Sequence, residues 1–166
     1  MTVDSFKYLP HSFRAGFEQV EFQHDEPVWS PLEHAIEDST IALLTSAGIY
    51  VKGEQQPFDL DTERANPTWG DPTYRVIPRD LEQDHVGVAH LHINTRDIER
   101  DINVALPLRA FAELEAEGRI GRLAEDHYSF MGYQDSRLAD WRTTQIPEVA
   151  NRLKQSGVSA LVLAPA

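Results

Sequence analysis

The chain has 166 residues, of which 41% are hydrophobic and 9% aromatic, a composition that favours one globular domain and excludes a largely disordered protein. Its 15 basic and 27 acidic residues give a formal net charge of −12, so nucleic acid and anionic membrane surfaces are not expected partners. The absence of cysteine excludes a disulfide, a thiolate zinc site and a thiol nucleophile built from this chain alone.

The amino-terminal part of the sequence predicts an arm rather than a signal peptide. It lacks a basic start followed by an uninterrupted apolar stretch, and no segment approaches the roughly 18 apolar residues of a membrane span. We therefore expect a cytoplasmic protein that does not bind membranes. Residues 1–38 carry six aromatic rings, which is rare in a solvated tail, so we predict an N-terminal arm over 1–38 and one domain over 39–166.

Apolar runs in the domain predict its strands. The run from Ile41 to Leu44 predicts a central strand, and "DHVGVAHLHIN", residues 84–94, predicts a second one. The segment "GVSALVLAPA", residues 157–166, predicts an interior strand of a parallel sheet. The aromatic segment "HYSFMGY", residues 127–133, fits either a short strand or a loop.

Helices are predicted between these runs. Thr95 is expected to cap a short helix, and Pro107 stands at the start of "LRAFAELEAEG", which Gly118 ends. A further helix is expected from about Arg137 to Gln155, with an interruption near Pro147. The alternation of strands and helices predicts an α/β fold with three layers, in which helices flank a small, mostly parallel, Rossmann-like sheet.

Residues 52–83 contain four prolines and two glycines and show no sustained period. Loops of this length are uncommon in compact domains and are often functional. We expect the segment to fold as a lid over the carboxyl edge of the sheet and to bring Tyr74 or Arg75 to a site there. Both are candidate substrate contacts, and the guanidinium of Arg75 suits a carboxylate. A plain surface excursion is the alternative.

The densest polar cluster is "HLHINTRDIERDIN", residues 90–103. His90 and His92, two apart on a strand, project to the same side, which suits acid–base catalysis or binding of one metal ion. Asp101 is the carboxylate that completes a set of two histidines and one carboxylate, and Asn94 is a candidate substrate contact. The cofactor is left open: a divalent metal ion is one option, and histidines that simply pack in the core or at an edge are the other.

Other candidate residues lie where strands are expected to begin or end. Ser46 follows the first strand, and His127 and Tyr128 open the aromatic segment. Ser46 and Tyr128 are candidate substrate contacts, and His127 is a third candidate catalytic residue. No base and acid are arranged with Ser129 in the sequence, so a serine nucleophile is not expected.

The candidate residues are expected to share one cleft. Parallel strands aim their carboxyl ends at the same edge of a sheet, so the strand ends near Ser46, His92 and Ala164 should meet. We therefore expect His90 and His92 to face that cleft together.

Four motifs in the chain resemble one known family. They are "LLTSAGIYVKGEQQPFD", "GDPTYRVIPRD", "HLHINTRDIERDINVALPLRAFAELEAEGRIGRLAEDHYSFMGY" and "IPEVANRLKQSGVSALVLAPA". In this order they resemble the B-type selenoprotein subunits of the glycine, sarcosine and betaine reductases and of D-proline reductase. The resemblance covers about residues 40–166.

The resemblance implies a subunit that binds a small amino acid or an N-methylated amine. In that family a selenocysteine or cysteine near the end of a strand attacks the substrate carbon and cleaves its C–N bond reductively. A pyruvoyl-bearing partner subunit activates the substrate amine in the glycine and proline enzymes. A partner reductase subunit is therefore expected here as well.

The sequence departs from the family pattern in two places. Asn94 stands where the family has an aspartate after the histidines. In the family a selenocysteine or cysteine directly follows the strand that resembles "VSALVLAPA", where main-chain N–H groups would stabilise a selenolate or thiolate. This sequence contains neither residue. Reductase activity therefore does not carry over to this chain by itself, and whether the chain is an enzyme stays open.

Three interpretations follow for the function. The chain is a reductase subunit whose nucleophile lies after residue 166, a non-redox member that binds a small molecule or metal through His90 and His92, or an assembly subunit that contributes surface. The codon after Ala166 separates the first two, because UGA would encode selenocysteine read as termination. A naturally short chain would expose a sheet edge, which we expect the N-terminal arm or a second copy to cover, so a homo-oligomer is predicted.

Overall fold

Strands and short helices alternate along the chain. The computed structural model describes residues 30–66, 69–134 and 138–166. The strands in these residues are β1 (Thr40–Thr45), β2 (Ile49–Val51), β3 (Arg75–Pro78), β4 (Val86–Val88), β5 (Arg122–Leu123), β6 (Asp126–Ser129) and β7 (Ala160–Ala164). The α-helices are α1 (Leu60–Ala65), α2 (Thr95–Arg100), α3 (Leu108–Ala116), α4 (Leu138–Asp140) and α5 (Ile146–Gln155).

Shorter helical turns join these elements. They are 3₁₀ turns at Ile36–Asp38, Gln83–His85 and Ile102–Val104 and a π-helical turn at Trp141–Gln145. The π-helical turn separates α4 from α5, and Pro147 lies in the first turn of α5, which confirms the predicted interruption of this helix. In the part of the chain that the structure describes, no helix is both long enough and apolar enough to cross a membrane.

The main sheet is built around β1. β7 pairs with β1 in parallel on one side, from Ile41 opposite Ala160 to Thr45 opposite Ala164. On the other side β1 pairs in parallel first with β5 and then with β6. β3 is antiparallel to β6 and completes a five-stranded sheet, while β2 and β4 form a separate antiparallel pair.

Helices cover both faces of the main sheet because side chains along β1 alternate in direction. Ile41 and Leu43 belong to the larger core, together with residues of α2 and α3. Leu44 packs in a second core with Tyr128 and with Val149 of α5. The predicted α/β class, with a mostly parallel sheet between flanking helices, is confirmed.

Two predicted strands differ from the structure. Residues 84–94 contain only the three-residue β4, which is antiparallel to β2, and Gly87 faces the Tyr50 ring so closely that a β-carbon would lie 2.3 Å from it. β7, predicted as interior, pairs with β1 alone among the described strands, and Leu163 is 64% exposed. Most of the predicted N-terminal arm, residues 1–29, lies outside the described residues, and so does Arg137, the predicted start of the last helix.

Candidate functional site

Several loops meet at the carboxyl ends of β1 and β7. Ser46 directly follows β1, and its hydroxyl accepts a 2.9 Å hydrogen bond from the main-chain N–H of Ala166, just beyond β7. The N–H of Gly48 donates to the Phe130 carbonyl at 2.9 Å, and the N–H of Ala89 donates to the Gly48 carbonyl at 2.9 Å. The loop after β1 is thereby bonded to the segments that follow β4, β6 and β7.

His90 lies in this region with its two ring nitrogens in different surroundings. Its Nδ1 accepts a 3.1 Å hydrogen bond from the main-chain N–H of His92. A β-carbon built on Gly132 would lie 3.6 Å from Nε2 and 3.5 Å from the Ser46 carbonyl oxygen. Burial, and secondarily the charge of His92, lowers the pKa of His90, so the ring is neutral at neutral pH.

His92 contacts a carboxylate from the long segment 52–83. Its Nε2 lies 3.2 Å from Oε1 of Glu63 in α1. Glu63 is only 3% exposed, whereas the His92 side chain is 66% exposed. The separation suits an ion pair when His92 is protonated, but the alignment does not meet hydrogen-bond geometry. Oε1 of Glu63 has no hydrogen-bond partner among the described residues.

We name this group of residues the strand-end site. The rings of His90 and His92 stand edge to face with centroids 6.0 Å apart, as neighbours but not as a parallel pair. The sequence interpretation named Ser46, His90 and His92 but missed the other two members. The strand-end site consists of Ser46, Glu63, His90, His92 and Gly132.

Part of segment 52–83 does pack against this region. Phe58 and Leu60 contact Ala89 and Met131, and Glu63 reaches His92. Segment 52–83 thus reaches this region through residues 58–63, whereas the lid prediction named Tyr74 and Arg75.

Tyr74 and Tyr128, predicted as substrate contacts, pack instead beneath α5. The Tyr74 hydroxyl donates a 2.5 Å hydrogen bond to Glu148, and its ring lies 6.0 Å from the Tyr128 ring between centroids. Burial, followed by the hydrogen bond to Glu148, raises the pKa of Tyr74 to about 12. Tyr128 is 1% exposed, so it serves the core in this structure.

Arg75, another predicted substrate contact, has its partners within segment 52–83. Its guanidinium lies 4.2 Å from the centroid of the Phe58 ring. Its N–H groups donate to oxygen atoms of four residues, namely Gln56, Pro57, Thr73 and Tyr74. These bonds use most of the donors of the side chain and hold the loop before α1 against β3.

Asn94 and Asp101 cap the ends of short helices. Asn94, rather than the predicted Thr95, is the N-cap of α2, where its side chain accepts from Arg96 N–H at 3.3 Å. Asp101 accepts from the Asn103 side chain at 2.7 Å, which lowers its pKa. Both side chains therefore have structural partners.

The three predicted metal ligands are not assembled together. His90 and His92 are neighbours, but Asp101 makes the contacts just described. Within residues 30–66, 69–134 and 138–166, no group of three or more histidine, aspartate or glutamate side chains is arranged to hold a metal ion. Metal binding at the histidine pair stays a prediction.

His127, the third predicted catalytic residue, lies wholly inside the domain. Its Nδ1 accepts a 3.0 Å hydrogen bond from the Leu43 N–H, at the point where β1 passes from pairing with β5 to pairing with β6. Its Nε2 has no hydrogen-bond partner among the described residues. Burial, with the charge of Arg79 second, lowers the pKa of His127 to about 4. The neutral imidazole thus closes a gap in the sheet.

The geometry describes an α/β protein with a polar site at the carboxyl edge of its sheet, and comparison with known proteins supplies the family. The model of the family "Glycine/sarcosine/betaine reductase selenoprotein B" matches residues 11–166. The chain belongs to this family.

Three curated relatives have similar sequences. The D-proline reductase subunit gamma of Acetoanaerobium sticklandii is 34% identical over 137 residues, which are 82% of this chain and 52% of that subunit. The glycine reductase complex component B subunit gamma of Carboxydothermus hydrogenoformans is 33% identical over 136 residues, 80% of this chain and 30% of its own.

The third relative, the betaine reductase complex component B subunit beta of Peptoclostridium acidaminophilum, is 29% identical over 125 residues, 75% of this chain and 27% of its own. This chain thus spans about half the length of the first relative and less than a third of the other two. No solved structure shows a significant match.

Proposed function

We propose that this chain is a subunit of a reductase complex that acts on the C–N bond of a small amino acid or amine. The family match supports a place in such a complex, and the three relatives are named as subunits of D-proline, glycine and betaine reductases. Reductive C–N cleavage takes up two electrons and two protons and replaces the C–N bond by a C–H bond and an N–H bond. Residues 1–166 contain no cysteine, so a continuing segment or a partner subunit must supply the selenolate or thiolate, and a dithiol must supply the electrons.

The proposed location of the reductase site rests on the contacts of the chain just beyond β7. The main chain just beyond β7 is hydrogen bonded to Ser46, and Ser46 and His90 both lie next to Gly132. The family resemblance expects the selenocysteine or cysteine directly after the strand that corresponds to β7. A nucleophile presented there, by a continuing segment or by a partner subunit, would lie at the strand-end site.

The test is a chimera in which this chain replaces the matched 137-residue region of the Acetoanaerobium subunit, assembled with the rest of that complex. With a dithiol as reductant, we expect cleavage of one of D-proline, glycine or betaine. His90→Ala should lower the rate by about 100-fold, because positioned acid–base or hydrogen-bonding groups contribute on that order.

His85→Ala provides the matched control, since the His85 side chain is 60% exposed and pairs only loosely with Asp84, at 3.7 Å. This variant should retain the rate of the unmodified chimera. A chimera that folds and assembles but cleaves none of the three substrates would contradict the proposal.

A second candidate is a non-redox protein that binds a small molecule or metal at His90 and His92. The lack of any cysteine in the sequence favours it. Saturable binding of an amine or amino acid by the isolated chain, combined with an inactive chimera, would support this function instead. The predicted homo-oligomer is a separate proposal, which the mass of the purified chain in solution tests.

A further inference from the structure

We infer that the buried carboxylate of Glu63 binds the protonated nitrogen of a small amine or amino acid, and that the ring of His92 covers this carboxylate in the absence of the ligand. The class of ligand rests on the proposed function, whereas the position of the carboxylate and of its cover comes from the geometry. Glu63 thereby recognises the cationic end of the ligand.

The Glu63 carboxylate is buried and lacks a hydrogen bond. Its side chain is only 2% exposed, and Oε1 has no hydrogen-bond partner among the described residues. Within the same residues no lysine or arginine pairs with it, and its ionic contact is Nε2 of His92 at 3.2 Å. Buried carboxylates are usually paired or hydrogen bonded, because a charge is costly to remove from water. The geometry at Oε1 therefore calls for a donor from outside this part of the chain.

The imidazole of His92 marks the place that such a donor would take. A ligand nitrogen at the position of Nε2 would lie 3.2 Å from Oε1, within hydrogen-bond distance. The His92 side chain is 66% exposed and makes no hydrogen bond within the described ranges, so its ring is free to turn into solvent. The main-chain N–H of His92 is bonded to Nδ1 of His90 at 3.1 Å, which keeps the backbone in place. Rotation of the ring thus opens the space for the ligand.

Charge selects a protonated amine for this position. The formal net charge of −12 attracts cations to the surface in general, and the Glu63 carboxylate adds a fixed negative charge at the site. An ammonium N–H forms a charge-assisted hydrogen bond with a carboxylate, which is roughly twice as strong as a neutral one. An anion would be repelled, and a quaternary ammonium has no N–H to donate. The ligand therefore carries at least one N–H on a cationic nitrogen.

His92 competes with the ligand for the same carboxylate. Its ring must leave before an ammonium group reaches Oε1, so the apparent affinity is reduced by the fraction of molecules in which the ring covers Glu63. Removal of the ring in His92→Ala should therefore strengthen amine binding by about twofold to tenfold. A histidine that contacted the ligand directly would give the opposite result.

The experiment is an NMR titration of the full chain with methylammonium, followed through the backbone amide shifts of residues 60–65 and 90–94. Tetramethylammonium at the same concentration keeps the ionic strength constant and has no N–H. We expect saturable shifts with methylammonium and none with tetramethylammonium. The dissociation constant should be on the order of 10 mM, as suits a ligand of about two heavy atoms.

Glu63→Gln tests the carboxylate, because it keeps the shape of the side chain and removes its charge. It should weaken methylammonium binding by about tenfold or more. Asp61→Asn is the matched control, since it removes one negative charge from the same helix at a side chain that is 95% exposed. Its methylammonium binding should match the wild type. His85→Ala, at another exposed histidine, is the control for His92→Ala and should also leave binding unchanged.

Any of three results would overturn the inference: no saturable methylammonium binding in either the wild type or His92→Ala, binding that survives Glu63→Gln, or weaker binding in His92→Ala. Its failure is distinguishable from failure of the proposed function. An active chimera whose chain does not bind methylammonium contradicts only the inference, and methylammonium binding with an inactive chimera contradicts only the reductase proposal.

Discussion

Replacement of Gly48 by alanine is expected to lower the free energy of unfolding by about 3 kcal/mol or more. Gly48 has a φ of 66°, a conformation that costs energy for any residue with a β-carbon. The added atom would also lie 2.2 Å from the Ala89 carbonyl oxygen and 2.9 Å from the Met131 sulfur. The clash involves main chain, which can move only if the loop that carries His90 moves with it.

Gly118→Ala is the matched control for this substitution. Gly118 has a nearly identical φ of 67°, and a β-carbon there would meet no atom within 4 Å. It should cost about 1 kcal/mol, the conformational part alone. Urea unfolding of both variants measures the difference, and equal losses would show that the close approach of Ala89 to Gly48 does not matter.

Stability is expected to fall by about 3 kcal/mol between pH 6.5 and pH 4 because of His127. Burial lowers the pKa of its imidazole from 6.5 to about 4, and each pKa unit corresponds to about 1.4 kcal/mol. Between these values the unfolded chain binds a proton that the folded chain excludes, so unfolding becomes more favourable as the pH falls. The loss of stability begins below about pH 6.5 and is complete below about pH 4.

His127→Asn isolates this effect, since asparagine offers an acceptor for the Leu43 N–H but does not titrate. The variant should be less stable at pH 7 by about 1 to 2 kcal/mol because of the cavity that remains. As the pH falls toward 4 the wild type should lose about 3 kcal/mol that the variant keeps, so the difference in stability should shrink to zero and then change sign. Urea unfolding from pH 4 to 7.5 measures it, with His85→Asn as the exposed control, and a difference that is constant with pH would contradict the assignment.

The parts of the fold that local pattern determines were predictable. The apolar run at 41–44, the period of α3 and the interruption before α5 each depend on neighbouring residues in the sequence. The extent of β4 and the place of β7 depend on distant partners: the Tyr50 ring packs against Gly87, and Leu161 and Leu163 lie on a strand with one described neighbour. No local period encodes those contacts.

The residues of the strand-end site also fall into those that the sequence pattern marks and those that only tertiary packing brings to the site. His90 and His92 are marked by their residue type and spacing, and Ser46 by its position after a strand. Glu63 carries no such mark, because its burial arises only when α1 packs against the histidine loop. Gly132 was missed because its contribution is the absence of a side chain beside His90.

Arg75 and Tyr74 show why residue type alone does not identify a ligand contact. Arginine and tyrosine near an expected cleft suggest ligand contacts, but here their polar atoms are used within the fold. Arg75 bonds to oxygen atoms of its own segment, and Tyr74 bonds to Glu148. Whether a polar side chain is available to a ligand depends on which partners the tertiary structure brings to it, and the residue type alone does not show this.

The pairing of β7 has a consequence for exchange of its amide hydrogens with solvent. Ser159 N–H donates to the Thr40 carbonyl at 2.9 Å, and in a parallel pair every second residue faces the partner strand. The amides of Leu161 and Leu163 therefore point toward β1, whereas those of Ala160, Val162 and Ala164 point away from it. Slow and fast exchange should alternate along the strand, so that any polypeptide added to this edge would be detected as new protection at every second residue of β7.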